Sequence, residues 1–531
     1  MSRFHTPRPA VWSAVLLIAG GFCVECDAAQ PAPRKVLFFD LWKLDAWNNV
    51  ELRQGRPEWI EECDYRDPAF ADAGVYFPSV WKDDASGTFR LIYSVKWSPF
   101  TLMAATSDDG VHWSPLPVED AAPGDEQLAA NHLLTVPSGS GGGVYQDPQR
   151  TDGYAFRIFG RQSGPPVLQR ALADPQHHWH EIATQEGDKP YIEEGITLAS
   201  KDGLHWEIKT GGKWNWQAED WYPEPPVFAF WNEDQAKHVM IARPGWGDRR
   251  QCLLTSSDLR TWSDPRLLFQ PDSLDTEAPI GMYGMPVTPV GNGAGYAGLL
   301  WIFRNSSSEP VNSFNQFFGT MEAELVYSYD GERFNRTTRR PFLERNPIPQ
   351  PGCVQVRPCS IVETDRHVLI YSEGHKGAHG RERAQQRQAD EPLGSLLLHR
   401  LRKDGWMSIT SKGDWASFQT KPFALFEPTI RLNAAADYGR ILYQLTDEKS
   451  RPIDGLTFKD CVPMNATDAL DFALRWKSGA QPPTNTPLRL EVKFRQANVY
   501  SLEMSHHFLD AHDLHLLKDG KALPENPRFD Y

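Results

Sequence analysis

The chain has 531 residues, too many for one ordinary core, so two domains are expected. Its formal net charge of -14 excludes the concentrated basic surface that a phosphate backbone needs; nucleic acid is not an expected partner, and a neutral or cationic polymer fits better. Gly (40), Pro (42) and Trp (19) are frequent, which favours short strands joined by many turns.

At the N-terminus Arg3 and Arg8 precede an apolar run at 14–22, then small residues at 27–29. That order reads as an export signal over 1–29, too short to be a permanent membrane span, so a secreted or periplasmic protein is expected. No later segment is apolar enough to cross a bilayer. Export removes Cys23 and Cys26 and leaves Cys63, Cys252, Cys353, Cys359 and Cys461; an odd number means at least one thiol outside any disulfide. The only CxxC pair, Cys23 and Cys26, leaves with the export signal, and no metal site is expected.

Beyond a strap at 30–74, the chain repeats itself. "SDDGVHW" (107–113), "SKDGLHW" (200–206), "SSDLRTW" (256–262) and "SYDGERF" (328–334) spell one turn four times, and "KDGW" (403–406) is a worn fifth copy. A strand-like run precedes each: 89–95, 154–160, 237–243, 298–304 and 366–372. A further strand candidate lies upstream of each run. Inner strand, second strand, third strand, turn and short polar strand, repeated, is the grammar of a β-propeller. Asp and Gly suit the reversal, and the aromatic that closes the turn is expected to pack between neighbouring blades.

The expected fold is all-β: a five-bladed β-propeller over 30–409, followed by a C-terminal β-sandwich over 410–515 and a tail over 516–531. Blades are expected at about 75–140, 141–222, 223–280, 281–352 and 353–409. After residue 410 the turn pattern gives way to "FALFEPTIRLNAA", "RILYQLTD", "LRLEVKFR" and "VYSLEMS", strands separated by Gly, Pro and Asn.

These residues carry a resemblance. "LFFDLWKLDAWNNVELRQGRP", the repeated turns, "FAFWNEDQAKHVMIAR", and the run from "KDGWMSI" through "PIDGLTFKDCVPM" to "LRLEVKFRQANVYSLEMS" together resemble secreted propeller proteins of planctomycetes and their relatives. Those proteins are similar to the N-terminal domain of glycoside hydrolase family 32. The resemblance covers nearly the whole mature chain and implies the architecture shared by families 32 and 43. The family 32 signature WMNDPNG is absent, so the fold transfers better than any fructosidase activity.

Glycoside hydrolysis uses two carboxyl groups across the scissile bond, and a propeller presents them at its inner strands. Asp67 in "YRDPAF" (or else Asp40 in "FFDLW"), Asp147 in "VYQDP" and Glu224 in "WYPEPP" precede or open the first three blades. Carried over from family 43, Asp67 or Asp40 would be base or nucleophile, Asp147 the residue that tunes the acid, and Glu224 the acid. Asp-Pro is equally a turn dipeptide. Asp40, Trp221 and Tyr222 beside Glu224, Tyr283, Glu322 and Arg357 are the expected substrate-binding residues, and Trp214 and Trp216 crowd the same loop as Trp221. His375 and His379 are expected on a long loop. With no G-x-S-x-G elbow, P-loop or G-x-G-x-x-G, no cofactor is expected, and the expected partner is a carbohydrate. The alternative is a glycan-binding propeller without catalysis.

Overall fold

A computed structural model describes residues 32–523 apart from 97, 122–126, 178, 186–191, 211–223, 245–248, 276–279, 306–318 and 380–393. Strands dominate, and helices are few and short. The strands fall into successive antiparallel groups; the first carries an added strand, His132–Val136, and the last two share one nine-stranded sheet through a parallel pairing of Met321 with Gln355. Blade 1 is Tyr76–Lys82, Phe89–Ser94, Phe100–Ser107 and Ser114–Pro115. Blade 2 starts with a broken inner strand, Gly139–Ser140 and Tyr145–Gln146, followed by Phe156–Ser163, Glu193–Ser200 and Trp206–Lys209. Blade 3 is Glu224–Asn232, Lys237–Arg243, Gln251–Ser256 and Arg266–Phe269. Blade 4 has a broken inner strand, Ile280–Met282 and Val287–Val290, then Gly295–Asn305, Gly319–Ser328 and Asn335–Leu343.

Blade 5 differs from its expected form. Gln355–Glu363, His367–His375 and Ser395–Arg402 are followed not by residues after "KDGW" but by Glu58–Tyr65, from the N-terminal strap. Met407–Ser411, which the turn grammar would place fourth in this blade, pairs instead with Val50–Gln54 and with Asn498–Phe508 in the second β unit. The rest of the strap follows it: Arg34–Leu37 pairs with Asn498–Phe508, and Leu44–Asn48 with Ala416–Thr420. The strap is thus shared between the two units. An open ring of sheets exposes an unpaired edge at each end, and a strand from the far terminus satisfies it.

The repeated turn is built as its residues dictate. In the first copy Asp109 Oδ1 accepts from the backbone N–H of Val111 and His112, Gly110 N–H donates to Ser107 Oγ, and the His112 imidazole meets Asp109 Oδ2 at 2.7 Å. Gly110 has φ +77°, a left-handed conformation that Leu259 adopts at φ 60° in the third copy. The closing aromatics lie in the seams. Trp113 meets Tyr371 of blade 5 edge-on at 5.9 Å, Trp262 meets Phe159 of blade 2 at 5.6 Å, and Phe334 meets Phe230 of blade 3 at 6.4 Å. The worn fifth copy keeps the habit, with Trp406 stacked on Phe342 of blade 4 at 5.9 Å. The propeller's apolar core is accordingly divided among the seams.

The second unit is a curled, nearly closed sheet packed as a sandwich. Its long strand Phe423–Asp447 pairs with Met464–Ala473, Leu488–Arg495 and Asn498–Phe508. Phe418, Leu432, Tyr443, Leu490 and Leu502 are buried in its own core. Residues 516–518, expected in a tail, belong to a helix, Ala511–Lys518, with Asp510 and Asp513 forming a capping box.

Two expectations follow. Burial pushes the Asp202 carboxyl up, but the N–H and imidazole of His205 and the N–H of Leu204 outweigh it and hold it at about 2. An unfolded Asp titrates at about 3.9, so this turn's contribution is complete above that pH and is lost as pH falls towards 2. Asp202→Asn should lower Tm at neutral pH, and the gap to wild type should narrow through this acid window in thermal melts. The five cysteines of the described chain form no disulfide and are all buried; burial pushes the Cys63 and Cys252 thiols up to about 12. Protein lacking residues 1–29 should not react with an aromatic disulfide reagent when native, and should release 5 equivalents of thiol in denaturant.

Candidate active site at the channel mouth

Later residues of the five inner strands or just past their ends, among them Trp81, Asp147, Trp231, Pro289 and Ile361, line one cavity, the lower mouth, and the strand starts lie towards the opposite rim, the upper mouth. Between the mouths the strands close on each other. Val144 N–H donates to Ser79 Oγ, Gly143 N–H to Val227 O, Val80 N–H to Ser360 Oγ, and Trp301 Nε1 to Pro358 O. Gly142 lies so close to blade 3 that a Cβ would stand 2.0 Å from Val227 O, so this approach requires glycine.

The upper mouth holds three of the expected residues. Glu224 opens the blade 3 inner strand, and its Oε2 meets Arg243 Nη1 at 2.8 Å; its side chain is 40% exposed. Arg243 Nη2 also donates to Pro225 O at 2.5 Å, and its guanidinium lies 4.1 Å from the centre of the Tyr283 ring. Arg249 covers the same ring at 5.1 Å and Phe303 at 4.9 Å. Tyr283 Oη pairs with His379 Nε2 at 2.9 Å, and its ring stacks on Trp301 at 6.4 Å. Arg357 stands 5.9 Å from Trp301 on the blade 5 side.

Arg357 is anchored from beneath. It forms an ion pair with Glu373, which also meets His375 Nε2 at 3.0 Å and accepts from Phe77 N–H at 2.9 Å. Phe77 sits at φ 52°, a left-handed conformation costly for a large side chain, and so turns its N–H to Glu373. Burial alone would push the Glu373 carboxyl up; Arg357, His375 and the Phe77 N–H outweigh it and hold the group below its ordinary value. With no exposed surface, Glu373 supports the mouth and does not face a ligand. His375, expected on a loop, ends the blade 5 second strand and is buried.

The other expected acids lie elsewhere. Asp67 is 2% exposed in the seam between blades 5 and 1. It caps the turn Pro68–Phe70 through Ala69 N–H and accepts from Tyr93 Oη and Asn131 Nδ2, which occupies its oxygens and leaves no base for the channel. Asp147 stands at the opposite, lower mouth, buried against Arg157 at 3.4 Å, beside a cavity of about 520 Å³ lined by Trp81, Phe156, Trp231 and Pro289. An inner strand in blade 2 that is broken at 141–144 moves the "YQDP" stretch to the strand's end, where it cannot tune an acid at the strand start of blade 3. Asp40 ties the strap to blade 4, accepting from Tyr327 Oη at 2.8 Å and Tyr329 Oη at 2.9 Å. Glu322 pairs with Arg304 on the third strand of blade 4 and borders a separate cavity of about 370 Å³. Trp214, Trp216, Trp221 and Tyr222 lie outside the described residues.

Arg243, Arg249 and Glu373 were not among the expected residues. Arg243 ends a second strand, Glu373 lies two residues before the end of another, and Arg249 precedes a third strand, so a reading confined to inner-strand starts passes over them. A charged residue in an otherwise apolar buried strand, as in "IYSEGH", was the available signal. Among the described residues no group of His, Cys, Asp and Glu is clustered to hold a metal ion, and no helix is long and apolar enough to cross a membrane.

No family model matches the chain, and no curated protein does. Solved structures to which it is similar include an N-acetylgalactosamine deacetylase from F. plautii in complex with blood group B trisaccharide, at 13% identity over 67% of this chain and 96% of that one, TM-score 0.41. A Bombyx mori family 32 β-fructofuranosidase is 12% identical over 85% and 94%, TM-score 0.39. An α-L-arabinofuranosidase from Podospora anserina in complex with cellotriose is 10% identical over 65% and 97%, TM-score 0.38. Similarity of this degree carries no statement about the substrate or reaction of this chain.

Proposed function

We propose that this is an exported, glycoside hydrolase-like propeller protein that takes a saccharide at the upper mouth, with Glu224 as the carboxylate that meets the glycosidic bond. The observation that carries the reading is the setting of Glu224: an accessible carboxylate on the channel rim, held by Arg243 beside the aromatic face of Tyr283. A sugar needs an aromatic face for its C–H surface and charged or polar groups for its hydroxyls, and both meet here. The N-terminal segment 1–29 supports export. The division into a five-bladed propeller and a sandwich belongs to the same reading, with the strap serving both.

The role of Glu224 departs from the resemblance. A general acid is made by burial or by a neighbouring carboxylate. Glu224 is half-exposed and paired with an arginine, which suits a base or nucleophile. One observation favours the second reading, a glycan-binding propeller without catalysis: none of Asp40, Asp67, Asp147 and Glu322 shares the mouth with Glu224, so no second acid from the expected set faces it.

Purified mature protein incubated with a polysaccharide panel separates the two. Released reducing ends mean hydrolysis, and retention on immobilised glycan without release means binding alone. In the first case Glu224→Gln should cut turnover by about 100-fold or more, the size expected for loss of a reacting carboxylate. Full activity in that variant overturns the assignment. Asp147→Ala is the contrasting variant. It removes one partner of a buried ion pair and should cost about 3 kcal/mol in urea unfolding, while leaving glycan retention intact at a temperature where the variant is folded.

A further inference from the structure

The lower mouth is a cavity of about 520 Å³ that shares none of the residues named for the upper mouth. Its size falls within the range of about 300 to 1,000 Å³ that small-molecule sites occupy. Three aromatic side chains from three successive blades line it: Trp81, Phe156 and Trp231. Each is held by a neighbour. Trp81 and Phe156 lie ring to ring at 5.0 Å, and Gly203 of the second turn copy is so close to Trp81 that a Cβ there would stand 3.0 Å from the ring. Trp231 meets the buried His238 at 4.7 Å, and His238 Nδ1 pairs with Tyr145 Oη at 2.7 Å. A ring already fixed need not be ordered when a ligand arrives. The lining also carries Gln146, Thr288, Arg150 and Glu233, the last two exposed and opposite in sign. Its other charged residue, Asp147, is buried and paired with Arg157, so neither sign of charge prevails in the lining.

We propose that the lower mouth is a second ligand site, one that binds an uncharged saccharide and does no chemistry on it. The rings receive the C–H surface of a sugar, and the amide, hydroxyl and charged groups beside them receive its hydroxyls. An ionic ligand meets no prevailing opposite charge here, and a hydrocarbon ligand strips water from Gln146 and Thr288 without replacing the bonds lost. Glycosidic cleavage takes two carboxyl groups, and with Asp147 enclosed by Arg157 only Glu233 is open to a ligand. The site needs no residue of the upper mouth. Lying on the face opposite Glu224, it holds the protein to a glycan without occupying the pocket at Glu224, and this consequence alone rests on the proposed function.

The test titrates protein lacking residues 1–29 with uncharged tetrasaccharides of glucan, xylan, mannan and galactan, read by calorimetry. At least one should bind, with an affinity that does not change with salt. Trp231→Ala should weaken that binding by about tenfold, the loss of one aromatic platform. Thr288→Trp fills the cavity from blade 4 while keeping every platform, and should abolish it; this variant decides the matter if Trp231→Ala does not fold by circular dichroism. Binding that Thr288→Trp removes entirely supports the lower site and counts against the upper one for these sugars. Binding that falls from two sites to one supports both. Binding that neither variant weakens belongs elsewhere and overturns the lower site alone. If no tetrasaccharide binds, the lower site is overturned, and the upper mouth is still decided by the polysaccharide panel and Glu224→Gln.

Discussion

A ring of sheets holds together only if its last member is joined to its first, and here one N-terminal strand makes that joint. Glu58–Tyr65 completes blade 5 against Ser395–Arg402, and from it Tyr65 reaches across the seam to Tyr93 of blade 1 at 3.0 Å. Arg66 adds a bond to Ser395 Oγ at 3.0 Å. Every other feature presupposes this closure. The seams that hold the aromatic turns exist because neighbouring blades press together. The inner strands meet on the axis for the same reason, and their first residues then form a rim.

The rim gathers three arginines at one place in a chain that is acidic overall. Net charge is a surface sum, whereas the mouth is set by a few side chains at strand ends. Its arginines are held by rings, carbonyls and carboxylates: Arg243 by Glu224, Pro225 O and the Tyr283 ring, Arg249 by Tyr283 and Phe303, Arg357 by the covered Glu373.

The blade rhythm was legible because its cause is local. Ser, Asp and Gly at fixed offsets satisfy one another within a turn, whatever surrounds it. Ring closure was not legible, because its partners stand more than three hundred residues apart and "KDGW" leads into a strand that fits either unit equally well by pattern. At the mouth, Glu224, Tyr283 and Arg357 were reachable because they stand at or near the starts of inner strands. Asp67 and Asp147 mark the limit of that logic. Both precede proline in the manner of a rim acid, and only packing tells a turn cap in a seam and a buried arginine partner from a group open to ligand.

The shared strap also orders events in time. Strands between residues 34 and 65 leave the ribosome well before their partners at 395–420 and 498–508, with the blades made in between. Local pairing within blades can proceed as the chain grows, but the strap waits, and the early blades wait with an open edge. Neither unit has its full set of strands before the other is nearly complete. The two units are two cores in space and a single act of folding.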